Sequence, residues 1–191
     1  MMSTKCLFAF IFLIFQFRIV LTQNNINEQK LNTLDKIERY RHFQKERDKM
    51  LNTDLPKFSG KDFISDAVID EHTFQDKILL LNFGNSSEYC FPVEFQHEEL
   101  NVLQNNIDTS LVQIIAIYSG DEIELYKNRE VDQDGFPILI LEKYQIESLF
   151  KINVYPTTFL VDKNGMIREV LKNSSWNILE KEIQKLNIIW L

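Results

Sequence analysis

Residues Ile78 to Glu94 read I-L-L-L-N-F-G-N-S-S-E-Y-C-F-P-V-E. A continuous apolar run ends abruptly in small polar residues and then in Tyr89-Cys90-Phe91-Pro92. Such a run, bounded by turn formers, fits a strand of a parallel sheet covered on both faces. The Asn/Ser cluster reads as loop. Pro92 suits the first turn of a helix, where its missing N–H costs nothing. Cys90 therefore belongs at a strand-to-helix junction. There the positive end of the helix dipole favours a thiolate, and a thiol pKa near 8.5 can fall to roughly 3.5–7.5. The plainer alternative is an inert cysteine packed in a core.

The neighbouring stretches extend the pattern. Pro92 to Asn105, with Leu100 and Leu103 apolar, predicts a helix, and Leu111–Tyr118 a second buried strand. Strand, helix, strand at this spacing is a right-handed parallel unit. Glu122 to Val131 reads as helical, Pro137–Leu141 as a short strand, and Tyr144 to Ile152 as a further helix. Two apolar strands then flank Lys163-Asn164-Gly165, an Asn-Gly hairpin signal, so this pair is antiparallel. A closing helix spans Ser175 to Trp190 and carries Ile178, Leu179, Ile183, Leu186 and Ile189 on one face. Upstream, Pro56 to Ile69 predicts a short hairpin with Ser59-Gly60-Lys61-Asp62 at its turn. Gln23 to Leu51 lacks Gly and Pro and spaces Leu31, Leu34, Ile37, Tyr40 and Phe43 by three. That is an amphipathic helix, docked on the domain or serving as a spacer.

The first 22 residues read as an export signal: Lys5 opens, and Cys6 to Phe17 is almost wholly apolar. This run is too short for a membrane span and suits a signal core. Val20 and Thr22 fit a cut before Gln23, while Ile19 to Leu21 leave an uncleaved anchor as the alternative. The expected organisation is a signal or anchor over 1–22, a helical extension over 23–54 and one α/β domain over 55–191. With 191 residues, 45% apolar and 15 Phe, the chain can bury a large core. Cleavage at that point leaves 19 basic against 28 acidic residues, a net charge of −9. Such a balance argues against nucleic acid or anionic lipid as partners. Only Cys90 then remains, and an odd thiol in an exported chain is unpaired within it. His42, His72 and His97 are scattered without metal-ligand spacing, so no metal site is expected and each reads as surface or partly buried. Asp70-Glu71 and Asp132–Asp134 read as solvated turns. Asn85-Ser86-Ser87 and Asn173-Ser174-Ser175 fit glycosylation sequons.

The order βαβ, helix, then a hairpin opening at Tyr-Pro-Thr resembles the thioredoxin fold. More narrowly the chain resembles the exported TlpA/ResA-type thiol–disulfide oxidoreductases, in a Bacteroidetes-like branch, from about Leu55 onward. The resemblance rests on L-L-N-F at Leu80–Phe83, Y-C-F-P at Tyr89–Pro92, L-N-V-L at Leu100–Leu103 and Y-P-T-T-F-L-V-D-K-N-G at Tyr155–Gly165. It implies a mixed central sheet flanked by helices, with Cys90 as the catalytic thiol and Pro156 as a cis proline facing it. Tyr89, Phe91, Pro92, Tyr155 and Pro156 would then border the substrate, with no cofactor required.

The departures bear on mechanism. The family's C-x-P-C becomes Cys90-Phe91-Pro92-Val93, so valine stands at the second thiol. The helix carboxylate six residues after the first cysteine falls on Gln96. The loop is also two residues longer than the family's. Counting forward from Asn82 would put Glu88 at the nucleophile's place, and counting back from Leu100-Asn101 puts Cys90 there. The second register also matches Tyr89 and Pro92. Dithiol exchange needs a resolving thiol, so the expected activity is monothiol exchange on exported disulfide- or thiol-bearing proteins or small thiols. Two further readings stand beside it. One is a redox-inactive module that holds peptides along Tyr155–Pro156, and the other is a one-cysteine peroxidase suggested by Ser87 three residues before Cys90.

Overall fold

A computed structural model describes residues 34–35, 37–84, 93–120, 135–152 and 154–189. The chain divides between His42 and Phe43 into two units. In the first, Leu34, Ile37 and Tyr40 are exposed. The second unit opens within helix α1 (residues 37–50), where Phe43 is buried and Met50 and Leu51 pack on the core. Arg47 pairs with Glu169 and also donates to the Val170 carbonyl, which holds this end of the helix to the sheet.

Seven strands follow: β1 (Ser59–Asp62), β2 (Val68–Asp70), β3 (Ile78–Phe83), β4 (Val112–Ser119), β5 (Ile138–Leu141), β6 (Thr157–Val161) and β7 (Ile167–Lys172). They form one mixed sheet in the order β2-β1-β5-β4-β3-β6-β7. β3 runs parallel to β4 and β4 to β5, and the other pairs are antiparallel. Helix α2 (Val93–Asn106) joins β3 to β4, α3 (Lys143–Phe150) joins β5 to β6, and α4 (Trp176–Ile189) closes the described chain.

β3 is central because every one of its residues is buried. Alternate side chains supply two separate cores, as a strand's period of two requires. Leu79, Leu81 and Phe83 join Phe150 of α3, Phe58 and Phe159 on one face. Ile78 and Leu80 join Leu100 and Leu103 of α2 and Leu179 and Ile183 of α4 on the other. Phe83 lies 4.6 Å from the Phe150 ring and 5.4 Å from that of Phe159. Glu99 of α2 accepts a 2.7 Å bond from the Trp176 N–H, placing a carboxylate on the positive end of α4.

Four sequence expectations change. Ser59–Asp62 is strand β1 rather than a turn. Gly60 is needed there for space, since a Cβ would sit 2.9 Å from Leu141 Cδ2 on β5. The turn lies after Asp62, whose carboxylate accepts from the Ser65 N–H and hydroxyl and from the Ile138 N–H. Ile178 is exposed rather than part of the buried face of α4. Glu71 is not simply solvated, because it accepts a 3.2 Å bond from the Phe58 N–H. His97 is buried, stacked on Tyr118 at 5.5 Å with Phe136 beyond it at 5.8 Å. Glu122–Val131, Asp132–Asp134, Leu31 and the residues read as a signal lie outside the described residues. Among those described, no helix is long and apolar enough to cross a membrane.

Candidate functional site

The C-terminal end of β3 is where the chemistry-bearing features of the sequence converge. In sheets with parallel strands, ligands gather at the carboxyl ends of those strands. Gly84 follows β3 directly, and its N–H donates to the Ile117 carbonyl at 3.0 Å, prolonging the ladder to β4 by one residue. The Tyr118 ring and the Gln96 amide close over it. A Cβ there would lie 2.2 Å from Tyr118 Cε1 and 2.8 Å from Gln96 Oε1. Gln96 is thus buried beneath the first turn of α2, at the point where the chain leaves the sheet.

Tyr89, Cys90, Phe91 and Pro92 lie outside the described residues. Their flanks do not: β3 ends at Phe83, and α2 begins at Val93, three residues after Cys90.

The Tyr155–Pro156 peptide bond is cis. Thr157 pairs with Phe83 across β6 and β3, so this bond stands beside the same end of the central strand. Two contacts hold it. The Thr157 hydroxyl donates to the Val154 carbonyl at 2.6 Å, and the Asn173 N–H donates to the Pro156 carbonyl at 3.1 Å. Pro156 is buried, and Tyr155 is half-buried and packed against the Phe83 core.

One pair at this end was not read from the sequence. Asn82, buried and on the α2 face of β3, donates from Nδ2 to Thr158 Oγ1 at 2.8 Å. It ties the strand that leads toward Cys90 to the strand that follows Pro156. Its Oδ1 is buried without a hydrogen-bond donor among the described residues. The signal was present: a lone amide within Leu79-Leu80-Leu81-Asn82-Phe83 demands a buried partner. Gln96 and Asn82 are both amides, neutral at every pH, so neither exchanges a proton with a thiol. Among the described residues no group of three or more His, Cys, Asp or Glu is arranged to hold a metal ion.

Comparison with known proteins identifies the family and the fold. The model of the AhpC/TSA family matches residues 51–170. The thiol-disulfide oxidoreductase ResA of Geobacillus thermodenitrificans is 31% identical over 118 residues, covering 59% of this chain and 67% of that protein. Among solved structures, a DsbF homologue from Corynebacterium diphtheriae superposes with a TM-score of 0.59 at 20% identity, over 71% of this chain and 87% of that one. The thioredoxin domain of a thiol-disulfide oxidoreductase from Bacteroides vulgatus does so at 0.54 and 19% identity, over 70% and 97%. The seven-stranded sheet with its helices is therefore a thioredoxin-like α/β fold.

Proposed function

The chain belongs to the AhpC/TSA family and is a thioredoxin-like protein of the TlpA/ResA type, and on that premise we propose that it is a thiol–disulfide oxidoreductase of the cell envelope working through one thiol, Cys90. The observation that supports this most is the placement of the described elements on either side of the Cys90 segment. Strand β3 ends at Phe83, helix α2 begins three residues after Cys90, and Tyr155–Pro156 stands beside the end of that strand. A sulfur at the mouth of α2 would meet the positive end of the helix dipole. Glu88 and Glu94 flank it in sequence and act in the opposite direction.

The exchange balances without a second cysteine. The Cys90 thiolate attacks a substrate disulfide, forms a mixed disulfide with one half and expels the other half as a thiolate. An external thiolate then attacks the substrate sulfur of that mixed disulfide, forms a new disulfide with it and frees the Cys90 thiolate. No electrons remain on the protein. The substrates are disulfide- or thiol-bearing exported proteins or small thiols, held beside Tyr89, Phe91, Pro92 and the Tyr155–Pro156 backbone. The expected site of action is periplasmic or extracellular, and membrane-bound only if residues 1–22 are retained as an anchor.

Val93 gives this reading its experiment. Challenged with a reactive disulfide, the full chain should accumulate a mixed disulfide at Cys90 that an added thiol releases. Val93→Cys should release the bound half by itself and shorten the life of the adduct by about tenfold or more. No adduct in the parent chain, with none gained in the variant, would overturn the proposal. A second reading draws on the same two substitutions, valine for the thiol and Gln96 for the carboxylate: a redox-inactive module that holds peptide along Tyr155–Pro156. Under it, Cys90→Ser leaves partner capture intact; under monothiol exchange, Cys90→Ser abolishes it.

A further inference from the structure

At the opposite end of β3 from the site above lies a cleft of about 470 Å³, within the size range of small-ligand sites. Three loops form it: the segment before β1, the β2–β3 connection and the β6–β7 turn. The two ends are separated by the length of β3, roughly 16 Å. Leu55, Phe74 and Leu79 supply the apolar part of its lining.

The charged lining divides sharply into engaged and unengaged groups. Asp162 is saturated by the Asn164 and Met166 N–H groups and by Arg168. Glu71 and His72 face each other at 3.5 Å, and Lys77 donates to the Thr109 carbonyl at 2.9 Å. Four charged lining residues, all exposed, have no ion pair or side-chain hydrogen bond among the described residues: Lys57, Lys163, Asp54 and Asp76. Two cations and two anions thus share one cleft without neutralising each other. A polyanion would be repelled by the two carboxylates, and a simple cation by the two ammonium groups. An amphipathic zwitterion satisfies both signs at once, with its side chain against Phe74 and Leu79.

We propose that this cleft binds a small zwitterion bearing an apolar side chain, of the free amino acid or dipeptide class. Its carboxylate meets Lys57 and Lys163, and its ammonium meets Asp54 and Asp76. The assignment is independent of the thiol chemistry, because no cleft residue belongs to that site.

The test is an NMR titration of the full chain with the dipeptide Gly-Phe, alongside its N-acetylated and C-amidated forms. Saturable shifts at the Leu79, Asn164 and Gly165 amides are expected, with each blocked form about tenfold weaker. Lys163→Ala and Asp76→Asn alter exposed side chains and leave the fold in place. Each should weaken Gly-Phe while no longer penalising the form blocked at the matching end. Cys90→Ser should leave binding unchanged, which separates this outcome from failure of the thiol reading. No saturable shift, shifts confined to other residues, or equal affinity for blocked and unblocked forms would overturn the proposal.

Discussion

Gly84 lacks a side chain because Tyr118 and Gln96 already occupy the volume one would need. Relief would require moving a fully buried aromatic ring that itself stacks on His97. Gly84→Ala should therefore cost about 1–3 kcal/mol, read as a lower midpoint in urea unfolding. Asn82 makes a complementary case. Thr158→Val leaves the Asn82 amide buried without its acceptor and should cost about 1–3 kcal/mol. The double variant Asn82→Leu/Thr158→Val removes both partners and should recover much of that loss in the same measurement. At this scale the sequence was half legible. The apolar run marks Asn82 as a residue in need of a partner, but only the β3–β6 register shows that Thr158 is that partner. His97 was misread for a related reason: periodicity along α2 does not reveal that two aromatic rings from outside the helix enclose it.

Turns separate what local chemistry dictates from what tertiary contact imposes. The β6–β7 turn was readable because Asn-Gly encodes its backbone directly. The Gly165 N–H donates to the Asp162 carbonyl, and the Asp162 N–H to that of Met166, both at 2.9 Å. The β1–β2 turn was misplaced because Ser-Gly-Lys-Asp has turn composition, yet Gly60 serves the close approach of β5. After β2, Asp70 accepts from the Thr73 hydroxyl and the His72 N–H, and the Thr73 bond above all holds its carboxyl below the usual aspartate range. A lowered carboxyl contributes stability that is present above the unfolded-state value and lost as pH falls through the folded one. The contribution should thus fade below the ordinary aspartate range. Thr73→Val should move the Asp70 titration, followed by carboxyl NMR, back upward toward the ordinary value.

The whole domain is a sheet with a core on each face, and β3 belongs to both. That arrangement explains why so much of it was legible. Strands buried on both faces appear as unbroken apolar runs, so β3 and β4 were placed to within a residue at each end, and β6 was recognised as the first strand of the hairpin. The outer strands and the turns near them depend on neighbours distant in sequence, and there the reading slipped. Of the candidate site, the cis Tyr155–Pro156 bond was legible in Tyr-Pro-Thr, Cys90 lies outside the described residues, and the Asn82–Thr158 tie required the sheet register. The functional account requires that the dipole of α2 outweigh the carboxylates of Glu88 and Glu94 at one sulfur. The direct test is the rate of Cys90 alkylation in the full chain, followed against pH. The account predicts a midpoint below about 8.5, the value for an unperturbed thiol. A midpoint at or above it, in a chain that also forms no mixed disulfide, would contradict the account.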